Sequence, residues 1–157
     1  LSKQQFDKSF DLNLFAHHYF VKHGVEIMKK QQTRGVALFN ISKQAVNPGK
    51  NYAAYGLTKA ALMFLMKQYV VEYSQYGIRF NGVNADRIRS GLMTPEMITK
   101  RSKARGLTIE QYMSGNLLKQ EVKATDVADA FYHLALSQKS TAAIITVDGG
   151  NIESSFR

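Results

Sequence analysis

Three residues whose side chains suit the interconversion of a carbonyl and an alcohol lie close together in the sequence, namely Ser42, Tyr55 and Lys59. Tyr55 and Lys59 are four residues apart, so on a helix they share one face. A free phenol ionises near pH ~10, and a neighbouring ammonium favours the ionised form. Such a phenol can give or take a proton near neutral pH, and a serine hydroxyl can hold and polarise a carbonyl oxygen.

A strand followed by a helix must bring these three side chains together. The continuous apolar run at 35–42 predicts a strand that is covered on both faces. The turn-forming residues 47–51 separate it from 52–76, which is rich in Ala, Leu and Met and predicts a helix that ends at Gly77. Because the carboxyl end of a strand and the first turn of the next helix can meet at one mouth, we expect Ser42 to face the helix there.

Further segments complete an alternating pattern of helices and strands. The spacing of apolar residues predicts a helix over 3–32. The remaining predicted elements are strands at 78–84 and 143–147, short helices near 95–104 and 108–116, and a helix capped by Thr125 that runs through Ser137, with Asp126 complementing its dipole. This order predicts an α/β fold with about three parallel strands. Doubly wound sheets usually have more strands, so we expect the other part of the sheet to be missing.

Composition excludes several classes of protein. The 157 residues, with 45% hydrophobic and 21% charged residues, are typical of one globular domain. The absence of cysteine rules out disulfides, thiolate zinc sites and a cysteine nucleophile, and it fits a cytoplasmic location. No apolar run approaches the ~20 residues that span a bilayer. The net charge of +9 attracts anions, but the basic clusters at 29–30 and 100–105 are short, and we interpret them as solvated helix faces.

Four blocks of sequence resemble the short-chain dehydrogenase/reductase family, in the family's order and spacing. They are the Asn-Ile-Ser of 40–42 with Tyr-Gly-Leu-Thr-Lys-Ala-Ala-Leu at 55–62, Gly-Ile-Arg-Phe-Asn-Gly-Val-Asn at 77–84, Asp-Val-Ala at 126–128, and Val-Asp-Gly-Gly at 147–150. The resemblance implies a Rossmann-like domain, an NAD or NADP cofactor, and catalysis by Ser42, Tyr55 and Lys59.

The same resemblance implies further site residues. Asn13 resembles the family's active-site asparagine, which holds a water in the proton relay. Asn84-Ala85-Asp86 stands where the family has Asn-Pro-Gly. The resemblance places Asp86, Ile88 and Ser90 at the cofactor, with Ile88 at the carboxamide and Ser90 at a phosphate, together with Tyr55 and Lys59.

The segment 42–51 and the aspartate at position 86 resemble the dehydrogenase half of bifunctional class II aldolase/short-chain dehydrogenases. In those proteins an aldolase domain precedes the dehydrogenase domain. The likeness implies a sugar-derived aldehyde or alcohol, such as lactaldehyde, as substrate. It also places Lys43 beside the catalytic serine, where it faces either a polar or anionic substrate group or solvent.

The family's Gly-rich phosphate-binding turn and the residue that separates NAD from NADP have no counterpart here. Residues 1–157 therefore resemble the C-terminal, catalytic part of the domain without its nucleotide-binding part, and we expect the chain alone to bind cofactor poorly. Family members commonly pair two long helices between subunits. Those helices and the bare edge of the first strand predict a homo-oligomer.

Alternative interpretations of several residues stay open. Tyr52 lies seven residues before Lys59, a spacing similar to that of enoyl reductases of the same superfamily, and is the second candidate proton donor. His17, His18 and His23 lack the i, i+4 spacing of a metal pair, so we predict no metal site. A nucleic-acid-binding module would show salt-dependent binding, but the dispersed charge carries no recognition motif and we expect no nucleic-acid partner. A non-catalytic assembly module that keeps the fold is the remaining alternative.

Overall fold

A computed structural model describes residues 2–151 of the chain. The predicted domain 1–157 therefore includes residue 1 and residues 152–157, which lie outside the described part. The helices and strands follow the chain in the order α1 (Lys3–Phe10), α2 (Ala16–Gln31), β1 (Val36–Asn40), α3 (Ala53–Tyr73), β2 (Arg79–Ala85), α4 (Pro95–Lys103), α5 (Ile109–Met113), α6 (Ala124–Leu136) and β3 (Ile144–Val147).

The three strands form one parallel sheet in the order β1-β2-β3. Val36 lies opposite Arg79 at the start of the first pair, and Gly82 lies opposite Ile144 at the start of the second. The central strand β2 is buried along most of its length, as expected for a parallel strand covered by helices on both faces. The predicted α/β class with three parallel strands is confirmed.

The main core lies between the sheet and the long helices α2 and α3. Val25, Phe39, Leu62, Met66 and Phe80 are buried there. Successive strand residues point to opposite faces of a sheet, so β2 turns Phe80 toward α3 and the preceding arginine toward α6, whose carbonyls it contacts.

Glycine at position 82 allows α3 to approach the sheet closely. A Cβ atom added there would lie 2.9 Å from Cγ1 of Ile41 and 3.2 Å from Sδ of Met66. Both distances are shorter than ordinary van der Waals contact, so a larger residue would displace Ile41 and push α3 away from the sheet. Close packing of α3 matters for function because this helix carries Tyr55 and Lys59.

The predicted helix over 3–32 is confirmed from Lys3 to Gln31, with one irregular segment inside it. A π-helical segment, Asp11–Phe15, joins α1 to α2. A π-helical turn shifts the hydrogen bonds from i→i+4 to i→i+5 and bulges the helix locally. The apolar spacing along the sequence is compatible with either pattern, so the interruption depends on packing against α3.

The second long helix closely follows its prediction. After α3 ends at Tyr73, one short 3-10 turn, Ser74–Tyr76, leads to Gly77. Gly77 has φ 75°, which is the left-handed region in which glycine carries no Cβ penalty. The predicted helix end at this glycine is confirmed.

The predicted cap of the last helix is wrong. Helix α6 begins at Ala124, so its cap is Lys123 and Thr125 lies inside the first turn. The Asp126 carboxylate turns back and accepts a hydrogen bond from the backbone N–H of Lys123 at 2.7 Å. That carboxylate satisfies the exposed end of the helix, which leaves no role for a threonine cap.

Helices α4 and α5 form a small unit with a core of its own, made by Met93, Ile98, Tyr112 and Met113. This unit follows β2 and lies over the carboxyl ends of β1 and β2, where it forms one wall of a cleft. Among the helices of residues 2–151, none combines the length and the apolar character needed to cross a membrane.

Candidate active site

A cleft of about 590 Å³ opens at the carboxyl ends of β1 and β2. Parallel α/β sheets bind their ligands at this end of the strands. Five of the residues predicted from sequence line the cleft, namely Ser42, Tyr55, Asp86, Ile88 and Ser90.

Ser42 follows β1 with extended backbone (φ −162°, ψ 150°). Its Oγ accepts a hydrogen bond of 3.2 Å from the backbone N–H of Gln44 and caps the short 3-10 turn Lys43–Ala45. Because the oxygen accepts this bond, the hydroxyl hydrogen remains available to donate to a carbonyl oxygen in the cleft.

Tyr55 and Lys59 lie one turn apart on α3, as their spacing predicts. The Lys59 Nζ is 5.7 Å from the centre of the Tyr55 ring. It also donates a hydrogen bond of 2.9 Å to the backbone carbonyl of Asn40, the last residue of β1. This bond ties α3 to the strand that presents Ser42, and so the structure brings the three side chains to one end of the sheet.

The Lys59 ammonium is buried beneath the cleft, with only 6% of the residue exposed. Burial lowers the pKa of Lys59 from its ordinary value of 10.5. No carboxylate among residues 2–151 forms an ion pair with it. Its positive charge is therefore not cancelled by a carboxylate and lies 5.7 Å from the centre of the Tyr55 ring.

The lowered pKa of Lys59 gives an expected result that needs no substrate. In an NMR titration of 13C-labelled lysine side chains, Lys59 should titrate below 10.5, with the Lys59→Met variant assigning the signal. Lys3 serves as the control, because its hydrogen bond and ion pair with Asp7 raise its pKa above 10.5. A Lys59 signal that titrates at or above 10.5 would contradict the buried geometry.

The lowered pKa of Lys59 also determines how this group affects the stability of the fold as the pH changes. The folded chain holds the Lys59 proton more weakly than the unfolded chain does, so this group destabilises the fold at neutral pH. The penalty disappears as the pH rises from the folded-state pKa of Lys59 to 10.5.

Asn13 does not line the cleft. It lies in the π-helical segment Asp11–Phe15, and its Nδ2 donates to the carbonyl of Ser9 at 3.1 Å and to the Ser9 hydroxyl at 3.4 Å. The segment packs against α3, and π-helical turns are frequent at functional sites. The side chain of Asn13 is directed back along its own helix, so its predicted role with a water stays a prediction.

Asp86 joins the loops that follow all three strands. Its Oδ2 accepts hydrogen bonds from Lys43 Nζ at 3.1 Å, Arg87 Nε at 2.9 Å and Asn151 Nδ2 at 3.1 Å. Asp86, which the sequence resemblance places at the cofactor, therefore links these loops at the base of the cleft. Lys43, for which sequence left two roles open, is bound to this carboxylate.

Arg87 and Ser90 shape the path of the chain after β2. Arg87 has φ 51°, and its guanidinium donates to the carbonyls of Tyr112 at 2.5 Å and Gly115 at 2.9 Å. Ser90 Oγ accepts a bond of 3.2 Å from the backbone N–H of Met93. These contacts fix the loop that replaces the family's Pro-Gly turn and anchor α5 to it.

The histidines of the first helical region have different surroundings. His18 Nδ1 lies 2.6 Å from the Tyr69 hydroxyl, whereas His17 Nδ1 is buried without a hydrogen-bond partner in the described structure. Burial and then the positive charge of Lys59 lower the pKa of His17. In the described part of the chain, no group of three potential metal ligands occurs.

Sequence reasoning missed two cleft residues, Arg101 and Arg105, because we interpreted 100–105 as a solvated helix face. Both line the cleft. Arg101 lies on α4 and Arg105 lies in the turn after this helix ends at Lys103, so the local sequence pattern did not indicate that both reach the cleft. Tyr52, the second candidate proton donor, also lines the cleft, and its ring centre lies 6.1 Å from that of Tyr55.

Comparison with known proteins identifies the family. A family model described as "Enoyl-(Acyl carrier protein) reductase" matches residues 1–151. "Uncharacterized oxidoreductase YuxG" of Bacillus subtilis (strain 168) is 30% identical over 152 residues, which cover 90% of this chain and 22% of that protein. "Short-chain dehydrogenase reductase 3a" of Arabidopsis thaliana is 30% identical over 156 residues, which cover 96% of this chain and 58% of that protein.

A solved structure described as "ElxO with NADP Bound" shares the fold, with a TM-score of 0.82 at 22% identity, over 97% of this chain and 60% of the other. The chain thus spans about three fifths or less of the length of the proteins it matches. The matched family model extends over nearly all of the sequence, and the fold agrees with it. The chain belongs to the short-chain dehydrogenase/reductase family.

Proposed function

We propose that this chain is the catalytic part of an NAD(P)-dependent oxidoreductase that interconverts a carbonyl and an alcohol. The observation that carries the proposal is the meeting of Ser42, Tyr55 and Lys59 at one end of the sheet, with the Lys59 ammonium 5.7 Å from the centre of the Tyr55 ring. A proton donor, a hydrogen-bond donor for the carbonyl oxygen and a fixed positive charge are what this reaction needs from the protein.

Each residue has a separate task. In reduction, the Tyr55 phenol gives its proton to the carbonyl oxygen, while the Ser42 hydroxyl donates a hydrogen bond to the same oxygen. In oxidation, the Tyr55 phenolate takes the hydroxyl proton of the alcohol. Lys59 stabilises the phenolate in both directions through its charge. The nicotinamide cofactor, when bound, supplies or accepts the hydride at the substrate carbon.

The residues present fit a nicotinamide nucleotide. An ammonium has three N–H groups, and Lys59 uses one of them on the Asn40 carbonyl, which leaves donors for the hydroxyls of a ribose. Ile88 and Ser90 line the cleft on the side of β2 and are proposed to contact the carboxamide and a phosphate. Asp86 is proposed to contribute through the loop it organises. Nothing in the cleft distinguishes NAD from NADP.

The proposal extends to the substrate, to an additional domain and to the location of the protein. A sugar-derived substrate such as lactaldehyde and a fused class II aldolase domain rest on the likeness of residues 42–51. The Bacillus subtilis relative, of which this chain spans 22%, is long enough to hold additional domains. The proposed partial domain agrees with the share of the relatives that the chain spans. A cytoplasmic location is also proposed, because a sequence without cysteine fits a reducing compartment.

The proposed homo-oligomer through the two long helices is supported by their surfaces. Phe20 on α2 is 83% exposed, and Phe64 and Val71 on α3 are 69% and 79% exposed. Large apolar side chains clustered on exposed helices commonly mark protein interfaces. Strand β1 also lies at an edge of the described sheet.

An enoyl reductase is the second candidate function. The matched family model carries that description, and Tyr52 lines the cleft beside Tyr55. The contact between the Lys59 ammonium and the ring of Tyr55 favours the carbonyl reductase.

Replacing Ser42 by Ala is the test of the proposed chemistry in the full-length protein that carries this chain. Loss of one donor to a developing oxyanion is expected to lower kcat by about 10²–10³-fold, as measured by NAD(P)H absorbance with a panel of aldehydes and ketones. Ser140→Ala is the matched control, because Ser140 lies before β3 at the opposite end of the sheet. A Ser42→Ala protein with undiminished kcat would contradict the proposed function.

A further inference from the structure

The lining of the cleft carries an excess of positive charge. Five basic residues line it, namely Lys43, Lys50, Arg87, Arg101 and Arg105. Asp86 is the acidic residue among the described residues of the lining. Its Oδ2 already accepts hydrogen bonds from two of these cations, Lys43 and Arg87.

Arg101 and Arg105 are not neutralised in this way. Neither forms an ion pair with a carboxylate among residues 2–151. Arg101 donates to the thioether of Met93 at 3.4 Å, a weak acceptor, and Arg105 donates to the backbone carbonyl of Arg101 at 3.1 Å. Both guanidinium groups therefore keep most of their N–H donors and their full charge.

Aromatic rings hold both guanidinium groups in place. The Arg101 guanidinium carbon lies 4.8 Å from the ring centre of Tyr52, and that of Arg105 lies 5.3 Å from the ring centre of the buried Tyr112. Such contacts position a cation without cancelling its charge. The result is a pair of oriented donors suited to a carboxylate or phosphate.

Contacts between side chains connect Arg101 to Tyr55, the proposed proton donor, through Tyr52. Arg101 covers the ring of Tyr52, and the ring centre of Tyr52 lies 6.1 Å from that of Tyr55. An anionic group at Arg101 would thus lie in the same cleft as the phenol, with Tyr52 in contact with both residues. A short substrate could reach both.

We propose that Arg101 and Arg105 bind the anionic group of the substrate, so that the substrate class is a short hydroxy-carbonyl compound that carries a phosphate or carboxylate. This inference rests on the proposed oxidoreductase function for the placement of the carbonyl at Ser42 and Tyr55. The pyrophosphate of the cofactor has the same chemistry as a substrate phosphate, so the test must separate these two sources.

The test is calorimetric binding to the full-length protein, with dihydroxyacetone phosphate and neutral dihydroxyacetone as the matched pair of probes. The unchanged protein should bind the phosphate at least about tenfold more tightly than the neutral compound. The double variant Arg101→Met/Arg105→Met should lose that preference and bind both alike. Lys103→Met is the control, because Lys103 lies on the same helix but is exposed and does not line the cleft.

Two further measurements distinguish a substrate phosphate from the cofactor pyrophosphate and show whether the variants still bind the cofactor. NADH and NADPH should bind the double variant and the unchanged protein equally, and Arg101→Lys should restore part of the preference for phosphate. The proposal is overturned if the unchanged protein shows no preference, if the double variant keeps the preference, or if the double variant loses NAD(P)H binding. Because binding is measured without turnover, a preference in a Tyr55→Phe protein would uphold this inference even where the proposed activity fails.

Discussion

Replacing Tyr55 by Phe in the full-length protein is expected to lower kcat by about 10²–10⁴-fold. The change removes one oxygen and keeps the ring, whose centre lies 6.1 Å from the ring centre of Tyr52 and 5.7 Å from the Lys59 Nζ. Cofactor binding and stability should therefore change little, and the loss should fall on the proton-transfer step. Steady-state kinetics of NAD(P)H-dependent reduction, together with circular dichroism and cofactor titration of the variant, measure these quantities.

Tyr52→Phe is the matched control for this variant, because it removes the same oxygen from the neighbouring ring in the same cleft. It should retain kcat within a few-fold. The opposite outcome, with Tyr55→Phe active and Tyr52→Phe inactive, would replace the carbonyl reductase by the enoyl reductase as the function of this cleft. Activity retained in both variants would remove the phenol from the mechanism altogether.

The Arg79→Met variant is expected to lose about 3 kcal/mol or more of its free energy of unfolding. Arg79 begins β2 and is 8% exposed. Its guanidinium donates to the carbonyls of Leu134 at 3.0 Å, Ser137 at 2.8 Å and Ala135 at 2.9 Å, at the end of α6. Methionine fills a similar volume but leaves these carbonyls without donors and removes the positive charge that complements the helix dipole.

Denaturant unfolding monitored by circular dichroism measures this loss. Arg34→Met is the control, because Arg34 is exposed, and its substitution should change the free energy of unfolding by no more than about 0.5 kcal/mol. If Arg79→Met changes that free energy by less than about 1 kcal/mol, the three hydrogen bonds do not hold α6 against the sheet.

Local patterns were sufficient to predict the strands and most of the helices. The apolar run at 35–42 became β1 at Val36–Asn40, and the long helix ended at Gly77 as predicted. Hydrophobic periodicity and a residue with an allowed left-handed φ act over a few neighbours, so the sequence contains them directly. The π-helical interruption and the cap at Lys123 were missed because each depends on a hydrogen bond that several local arrangements would also allow.

The candidate site also combines features that the local sequence predicts with features that depend on tertiary contacts. The spacing of Tyr55 and Lys59, and the position of Ser42 at the end of a strand, could be derived from residue types and element order. The bond from Lys59 to the Asn40 carbonyl and the three-way contacts of Asp86 could not, because they join residues far apart in the chain.

The sequence by itself determined the parallel α/β class, since this class follows from periodicity and from the order of elements along one chain, and the resemblance of its motifs to the family supplied the proposed reacting side chains. Tertiary structure alone decided which charges are buried, which are neutralised and which face the cleft. Arg101 and Arg105 show the difference, because a basic helix face has the same sequence whether it meets water or the mouth of a site. Only the packing of α4 and α5 over the sheet places those two cations beside Tyr52 and Tyr112.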